Sequence, residues 1–244
     1  MSSLYLREDL ATADEGALVE LVGAEAKHAV TVNRSRVGDD IRIGNGRGLL
    51  VTGVIESVEP GHLGVRAITV TVEKEPSPRL VLVQALAKGD RDEMAIQAAT
   101  ELGVSAIIPW AASRSVSRWE GPKKEKGRLR WETIVREASK QSIRSFVPPV
   151  SPIASTADLS RLAGTSRVVL LDPTASEPLS QIDVASDDRD LLLIVGPEGG
   201  ISDAELDSLT AAGALRTRLG DTVLRTSSAG PAALAVLNVR LGRW

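Results

Sequence analysis

Leu191-Leu192-Leu193-Ile194-Val195 runs directly into Gly196-Pro197-Glu198-Gly199-Gly200-Ile201-Ser202. An unbroken apolar run that stops on a glycine-proline turn reads as a strand covered on both faces, which is the pattern of a parallel sheet. Further on, Leu219-Gly220-Asp221-Thr222-Val223-Leu224-Arg225-Thr226 makes a second turn and opens into the last helix of the chain. Two backbone-rich turns at successive strand ends predict one ligand held between them, because ligands of open α/β sheets sit outside the carboxyl ends of the strands.

Working back from that stretch, the same alternation recurs. Leu80 to Ala87 is an apolar strand interrupted only by Gln84. Asp90 stands where a helix N-cap is expected, Met94, Ala98 and Leu102 fall at four-residue spacing on one helix face, and Gly103 ends the helix. Val104 to Pro109 is the next strand, which completes a βαβ unit. A helix over 123–142 with Trp131, Ile134, Val135 and Ala138 buried, strands at 167–171, 191–195 and 214–219, and helices near 156–163, 202–212 and 227–241 complete the pattern. The predicted class is α/β with helices on both faces of a parallel sheet. Residues 1–72 differ: Thr31-Val32, 40–43, 49–55 and 65–70 are β-rich and punctuated by Gly38-Asp39, Asn45-Gly46 and Pro60-Gly61, which predicts a small β-barrel. Residues 73–79, with Pro76 and Pro78, read as the linker to a second domain at 80–244.

Composition sets the limits on function. The 244 residues carry 43% hydrophobic side chains, enough for real cores, and no cysteine, which removes thiolate nucleophiles, disulfides and cysteine zinc sites. His28 and His62 are the only histidines and lack clustered ligands, so no metal is expected. Without a leader pattern or a long apolar run, the expectation is a cytoplasmic protein with no membrane partner. The net charge is −3, yet between Ser113 and Arg144 ten Lys or Arg face four acids. That stretch is open to two readings, a solvated helix face or a surface for RNA or phosphate. Trp110, Trp119 and Trp244 are similarly open to base stacking or core packing.

The turns themselves narrow the ligand. Gly196, Gly199 and Gly200 let backbone approach a ligand closely and expose N–H and C=O groups suited to an adenine or ribose edge, while Pro197 stiffens the corner. Neither the G-x-G-x-x-G fingerprint nor the Walker A pattern is present. Asp172-Pro173-Thr174 after Leu171 forms a third loop at the same sheet edge. Glu198 is expected to serve the turn or cap the following helix.

Lys88-Gly89-Asp90-Arg91, Gln97 to Val104, Gln141-Ser142-x-Arg144, Gly196-Pro197-Glu198-Gly199-Gly200 and Leu219-Gly220-x-x-x-Leu224-Arg225-Thr226 occur in an order that resembles the RsmE family. Its members are 16S ribosomal RNA uridine N3-methyltransferases of the SPOUT class. The resemblance covers nearly the whole chain. It implies a SPOUT-type parallel sheet with a C-terminal trefoil knot, preceded by a PUA-like β-barrel, a homodimer, S-adenosyl-L-methionine as cofactor, and 16S rRNA in the small ribosomal subunit as substrate. Carried onto this chain, the cofactor site comprises Leu171, Asp172, Gly196, Pro197, Glu198, Gly199, Gly200, Leu219, Gly220, Val223, Leu224 and Thr226. Arg144 and Arg225 are the catalytic candidates, since an arginine near the uracil carbonyls stabilises charge as N3 loses its proton. Arg7, Arg34, Lys88, Arg91, Arg114, Lys123 and Lys124 are the expected RNA contacts. Two rival readings are a SPOUT enzyme acting at another RNA position and a non-catalytic RNA-binding assembly factor. The family often reads Arg-Thr-Glu-Thr-Ala where this chain has Arg225-Thr226-Ser227-Ser228-Ala229, so an acidic residue is missing beside the pocket; Ser227 is the expected helix N-cap.

Overall fold

The computed structural model describes residues 4–184 and 188–244, which form two compact units. The first comprises Met1–Glu75 together with Ser139–Val147. Its five-stranded sheet holds β1 (Leu4–Leu6), β2 (Leu18–Val22), β3 (Asp40–Gly44), β4 (Leu49–Glu59) and β5 (His62–Val72) in the order β1-β3-β4-β5-β2. The long β4–β5 hairpin turns at Gly61, and its register slips beside Gly53, where a Cβ would lie 2.3 Å from the Arg66 carbonyl oxygen. Only glycine allows that approach. Leu21, Ile41, Ile43, Val51, Ile55, Leu63 and Val65 form the core.

Two features of this unit differ from the sequence expectation. Thr31 ends a helix, α1 (Gly23–Thr31), and Val32 is its C-cap, where a strand was expected. Ala26 and Ala29 of α1 are fully buried, so small residues carry a packing face that β-propensity alone does not reveal. The segment Ser139–Val147, expected within 80–244, groups with this unit. Phe146 bridges Arg47 and fills the space over Gly48, and the Lys140 ammonium lies 3.1 Å from the Glu25 carboxylate.

The second unit comprises Pro76–Ala138 and Pro148–Trp244. Its sheet is wholly parallel, with β6 (Leu80–Ala85), β7 (Ala106–Trp110), β8 (Arg167–Leu171), β9 (Leu191–Val195) and β10 (Leu215–Thr217) in the order β10-β8-β9-β6-β7. Every residue of β6 and β9 is buried, as their unbroken apolar sequence requires. Around it run α2 (Arg91–Glu101), α3 (Lys123–Gln141), α4 (Thr156–Leu162), α5 (Asp203–Ala211) and α6 (Thr226–Arg240).

Helix α2 buries Asp92, Ala95, Ile96, Ala99 and Thr100, and Met94 is exposed. The face expected from Met94, Ala98 and Leu102 is rotated because close packing of α2 on α6 selects the small residues. Asp90 sits at the N-cap position with φ +61° and makes no cap bond; Asp92 instead accepts from the backbone N–H groups of Ala87 and Glu93 at 3.0 and 2.9 Å. Burial pushes the Asp92 carboxyl above its usual range against those bonds. Trp131 and Trp110 are core residues.

After β10, at one edge of the sheet, the chain returns over the loops that follow β8 and β9, and α6 comes to pack on α2, β6 and β9. This return is the C-terminal crossing that the resemblance implies. It is held where Arg218 exchanges backbone bonds with the β8–β9 connection, Arg218 N to Glu177 O and Leu179 N to Arg218 O, both 2.9 Å. A Cβ at Gly230 would lie 3.0 Å from Leu82 Cδ1, so glycine lets α6 lie directly on the sheet.

Candidate functional site

The carboxyl ends of β8, β9 and β10 open into one cavity of about 850 Å³. Its walls include Leu171, Asp172 and Thr174 after β8; Val195, Gly196, Pro197, Glu198, Gly200 and Ile201 after β9; and Leu219, Gly220, Val223, Leu224, Arg225 and Thr226 before α6. All the residues expected to form the cofactor site except Gly199 line it. Gly199 packs behind the turn, where its Cβ would sit 3.2 Å from Arg114 Cβ. Gly200 has φ +72° and donates its N–H to Pro197 O at 2.9 Å, closing the turn. At Gly196 a Cβ would meet Ile201 Cγ1 at 2.6 Å.

Three polar clusters fix these loops. Thr226 Oγ1 donates to Gly196 O at 2.8 Å and accepts from Gln84 Nε2 at 2.9 Å, which ties the start of α6 to the ends of β9 and β6. The Thr226 hydroxyl therefore works between protein groups. Asp172 is buried; its carboxylate accepts from Thr174 N at 2.9 Å, Thr174 Oγ1 at 2.8 Å and Arg216 Nε at 2.8 Å, with a second bond from Arg216 Nη2. Burial alone would raise the Asp172 carboxyl, but the Thr174 bonds and the Arg216 guanidinium outweigh it and hold it below the usual range. Glu198 Oε1 accepts from the Lys88 N–H and from Arg91 Nη1, each at 2.9 Å, so it latches the β9 turn to the Lys88–Arg91 turn. Here too burial is outweighed, by the backbone bonds and Arg91, and the carboxyl is lowered. Capping of α5 falls instead to Ser202 and Glu205, whose carboxylate also takes the Ser113 N–H at 2.8 Å.

Arg225 occupies the N-cap position of α6, exposed, without a side-chain partner among the described residues; Ser227 already lies inside the helix. Arg144 is not among the lining residues of this cavity. It belongs to the segment grouped with the first unit, where burial draws its guanidinium down to about 10. Of the expected RNA contacts, Arg91 and Arg114 line the cavity, and Arg114 Nη1 reaches Gly199 O and Ile201 O at 3.4 and 3.3 Å. Lys88 lines a second cavity. Lys123 and Lys124 are exposed at the start of α3. In the first unit Arg7 donates to Glu20 O at 2.7 Å and pairs with Asp9, and Arg34 takes φ +55°.

Sequence reasoning missed Gln84 and Arg216. The lone polar residue inside an apolar strand was the available signal for Gln84. Arg216 left none, because its role depends on the parallel register that sets β10 beside β8. Among the described residues no His, Asp or Glu cluster suits a metal, and no helix is long and apolar enough to cross a membrane.

The RNA methyltransferase domain family matches residues 73–238 and the RNA methyltransferase PUA domain family matches residues 21–67. Ribosomal RNA small subunit methyltransferase E of Mycobacterium bovis is 41% identical, over 95% of this chain and 90% of its own. The Bacillus subtilis protein of that name is 32% identical, over 92% and 91%. A crystal structure of ribosomal RNA small subunit methyltransferase E from Neisseria gonorrhoeae bound to S-adenosyl methionine superposes with TM-score 0.86 at 27% identity, covering 98% of each chain. A putative methyltransferase from Legionella pneumophila, in complex with the same cofactor, gives TM-score 0.85 at 30% identity, covering 98% of each chain.

Proposed function

The chain belongs to the ribosomal RNA small subunit methyltransferase E family of RNA methyltransferases, and from that premise we propose that its cavity binds S-adenosyl-L-methionine and that it methylates N3 of a uridine in 16S rRNA. The observation that carries this is the convergence of three loops on one cavity. Its volume lies within the range of small-molecule sites, about 300–1,000 Å³. The residues fit the cofactor: Gly196 lets the turn pack closely on Ile201, which a Cβ would strike at 2.6 Å, and apolar Leu171, Val195, Leu219 and Leu224 flank backbone N–H and C=O groups able to read an adenine and a ribose. Bound there, the cofactor supplies an electrophilic sulfonium methyl.

The protein's part is alignment and charge. The apolar walls exclude water, and the Thr226 and Asp172 clusters hold the loops still, so a bound nucleotide meets a preorganised surface. Methylation at N3 requires that nitrogen to release its proton, and negative charge then spreads over the two flanking carbonyl oxygens. Arg225, without a side-chain partner among the described residues, stabilises that anion. Because N3 lies on the pairing edge, the uridine enters unpaired. Exposed Val239 and Trp244 in and after α6 supply an apolar surface for a second copy of the chain, and the homodimer acts in the cytoplasm on small subunits.

Calorimetric titration with S-adenosylmethionine tests the cavity; absence of both heat and thermal shift refutes it. Incubation with labelled cofactor and small subunits, followed by nucleoside mass spectrometry, tests the position. Label on any nucleoside other than N3-methyluridine overturns the uridine assignment.

A further inference from the structure

The turn that gives Arg91 to the cofactor cavity gives Lys88, Gly89 and Asp90 to a second hollow of about 380 Å³, completed by Trp119, Gly127 and Arg130 among others. Two indoles, Trp119 and Trp131, stand in its wall. Trp119 is half-buried and packs edge-on against Trp131, with ring centroids 5.1 Å apart. Gly127 lies inside α3, where glycine is disfavoured relative to alanine. A Cβ there would fall 2.3 Å from Trp119 Cε2, so glycine is what lets the indole lie flat on the helix. The result is a rigid aromatic surface facing a cavity, with an indole N–H that meets no acceptor among the described residues.

The surrounding charges are sorted. Arg130 covers Glu93 with two bonds, at 3.1 and 2.8 Å, and Asp92 is turned inward onto the Ala87 and Glu93 N–H groups. Asp90 remains as an exposed acceptor beside exposed Lys88. Lys123 and Lys124, one turn before Gly127 on the same helix face, are exposed and without partners among the described residues. An aromatic platform with Lys88 in its wall, and with Lys123 and Lys124 one turn away along α3, suits a base that stacks and a backbone that is anionic.

We propose that this hollow holds an unpaired RNA nucleotide neighbouring the one that is methylated, its base stacked on Trp119 and its phosphates on Lys88, Lys123 and Lys124. The inference rests on the RNA methyltransferase reading, and one turn of backbone joins the two cavities: Glu198, in the first, binds the Lys88 N–H and the Arg91 side chain.

The test uses the full-length protein with small ribosomal subunits lacking the modification. Trp119→Ala raises KM for subunits about tenfold or more, as loss of one base–aromatic stack does, with kcat and the S-adenosylmethionine Kd within about twofold, whereas Trp119→Phe restores most of the affinity. Unchanged KM in Trp119→Ala refutes the proposal. Lys88→Ala, on the surface, lowers the salt dependence of single-stranded RNA binding by about 0.7 in log–log slope, and an unchanged slope counts against the phosphate contact. Titration with a single-stranded RNA oligonucleotide reads the site without turnover: quenching of tryptophan fluorescence in the wild type that is lost in Trp119→Phe supports the site, and equal quenching in both overturns it. If wild-type protein methylates no subunits, the functional reading falls while this titration still decides the nucleotide site.

Discussion

Thr226→Val is the most discriminating perturbation of the site, because it keeps the shape of a β-branched side chain and removes only the hydroxyl. In the structure that hydroxyl gives its proton to Gly196 O at 2.8 Å and accepts from Gln84 Nε2 at 2.9 Å. Gln84 is fully buried, its Oε1 already lacks a partner, and Nε2 keeps one bond, to Ala85 O at 3.1 Å. The substitution therefore strands one amide N–H in a dry interior. Gly196 O lies beside the cavity, where water replaces the lost donor. One buried unsatisfied group costs about 1–3 kcal/mol, and for a chain of this size each kcal/mol is about 2–4 °C in Tm. Calorimetry is expected to show a fall of roughly 2–12 °C. The free β9 turn also loses its register with α6, and a bond of about 1 kcal/mol corresponds to about a fivefold rise in the S-adenosylmethionine Kd. Thr226→Ser, which keeps the hydroxyl, should recover most of both. A Thr226→Val protein with Tm within about 1 °C of wild type and unchanged Kd would refute the clamp.

Gly196→Ala forces a Cβ to within 2.6 Å of Ile201 Cγ1; overpacking of about 1–3 kcal/mol appears as at least about a fivefold loss of cofactor affinity by calorimetry, with the far-ultraviolet spectrum unchanged. The Asp172 carboxyl titrates below its ordinary value in the folded protein, so its contribution is complete above about pH 4 and is lost as pH falls through the lowered folded value. Asp172→Asn should lower Tm at neutral pH and flatten the acid limb, and parallel Tm–pH curves below about pH 4 would count against the Arg216 and Thr174 bonds. Trp131→Ala empties a fully buried site against Trp119 and should cost about 3–5 kcal/mol in denaturant unfolding.

The parallel sheet was legible because β6 and β9 are buried on both faces and their residue types say so. The β9 turn was legible because its glycines meet local demands: Gly196 packs on Ile201 and Gly200 takes a positive φ, whatever surrounds them. Helix faces built from alanine were not legible: α1 packs through Ala26 and Ala29, and α2 through Ala95 and Ala99, residues that carry little periodic hydrophobic signal. Long-range pairings were hidden as well. Nothing local joins Glu198 to Lys88 and Arg91, or Arg216 to Asp172, until the strand order brings their loops together.

Ser227-Ser228, standing where the resemblance led to the expectation of an acidic residue, acquires a physical meaning from the same geometry. No acidic side chain stands in the first turn of α6, so the positive end of the helix and the Arg225 guanidinium act together without internal neutralisation. Elsewhere at the cavity, Asp172 is paired with Arg216 and Glu198 with Arg91. Asp203 and Asp207 of α5 also line it, so what the geometry gives is an Arg225 without a side-chain partner among the described residues, to which the serines add no counter-charge in the first turn of α6. Ser227→Glu should supply one: negative charge placed in the first turn stabilises α6 by about 0.3–1 kcal/mol, while competing with the uracil anion for Arg225. A higher Tm with a lower kcat, and a pH–rate profile shifted to higher pH, is the expected pairing. An increase in kcat would show that Arg225 does not stabilise the anion.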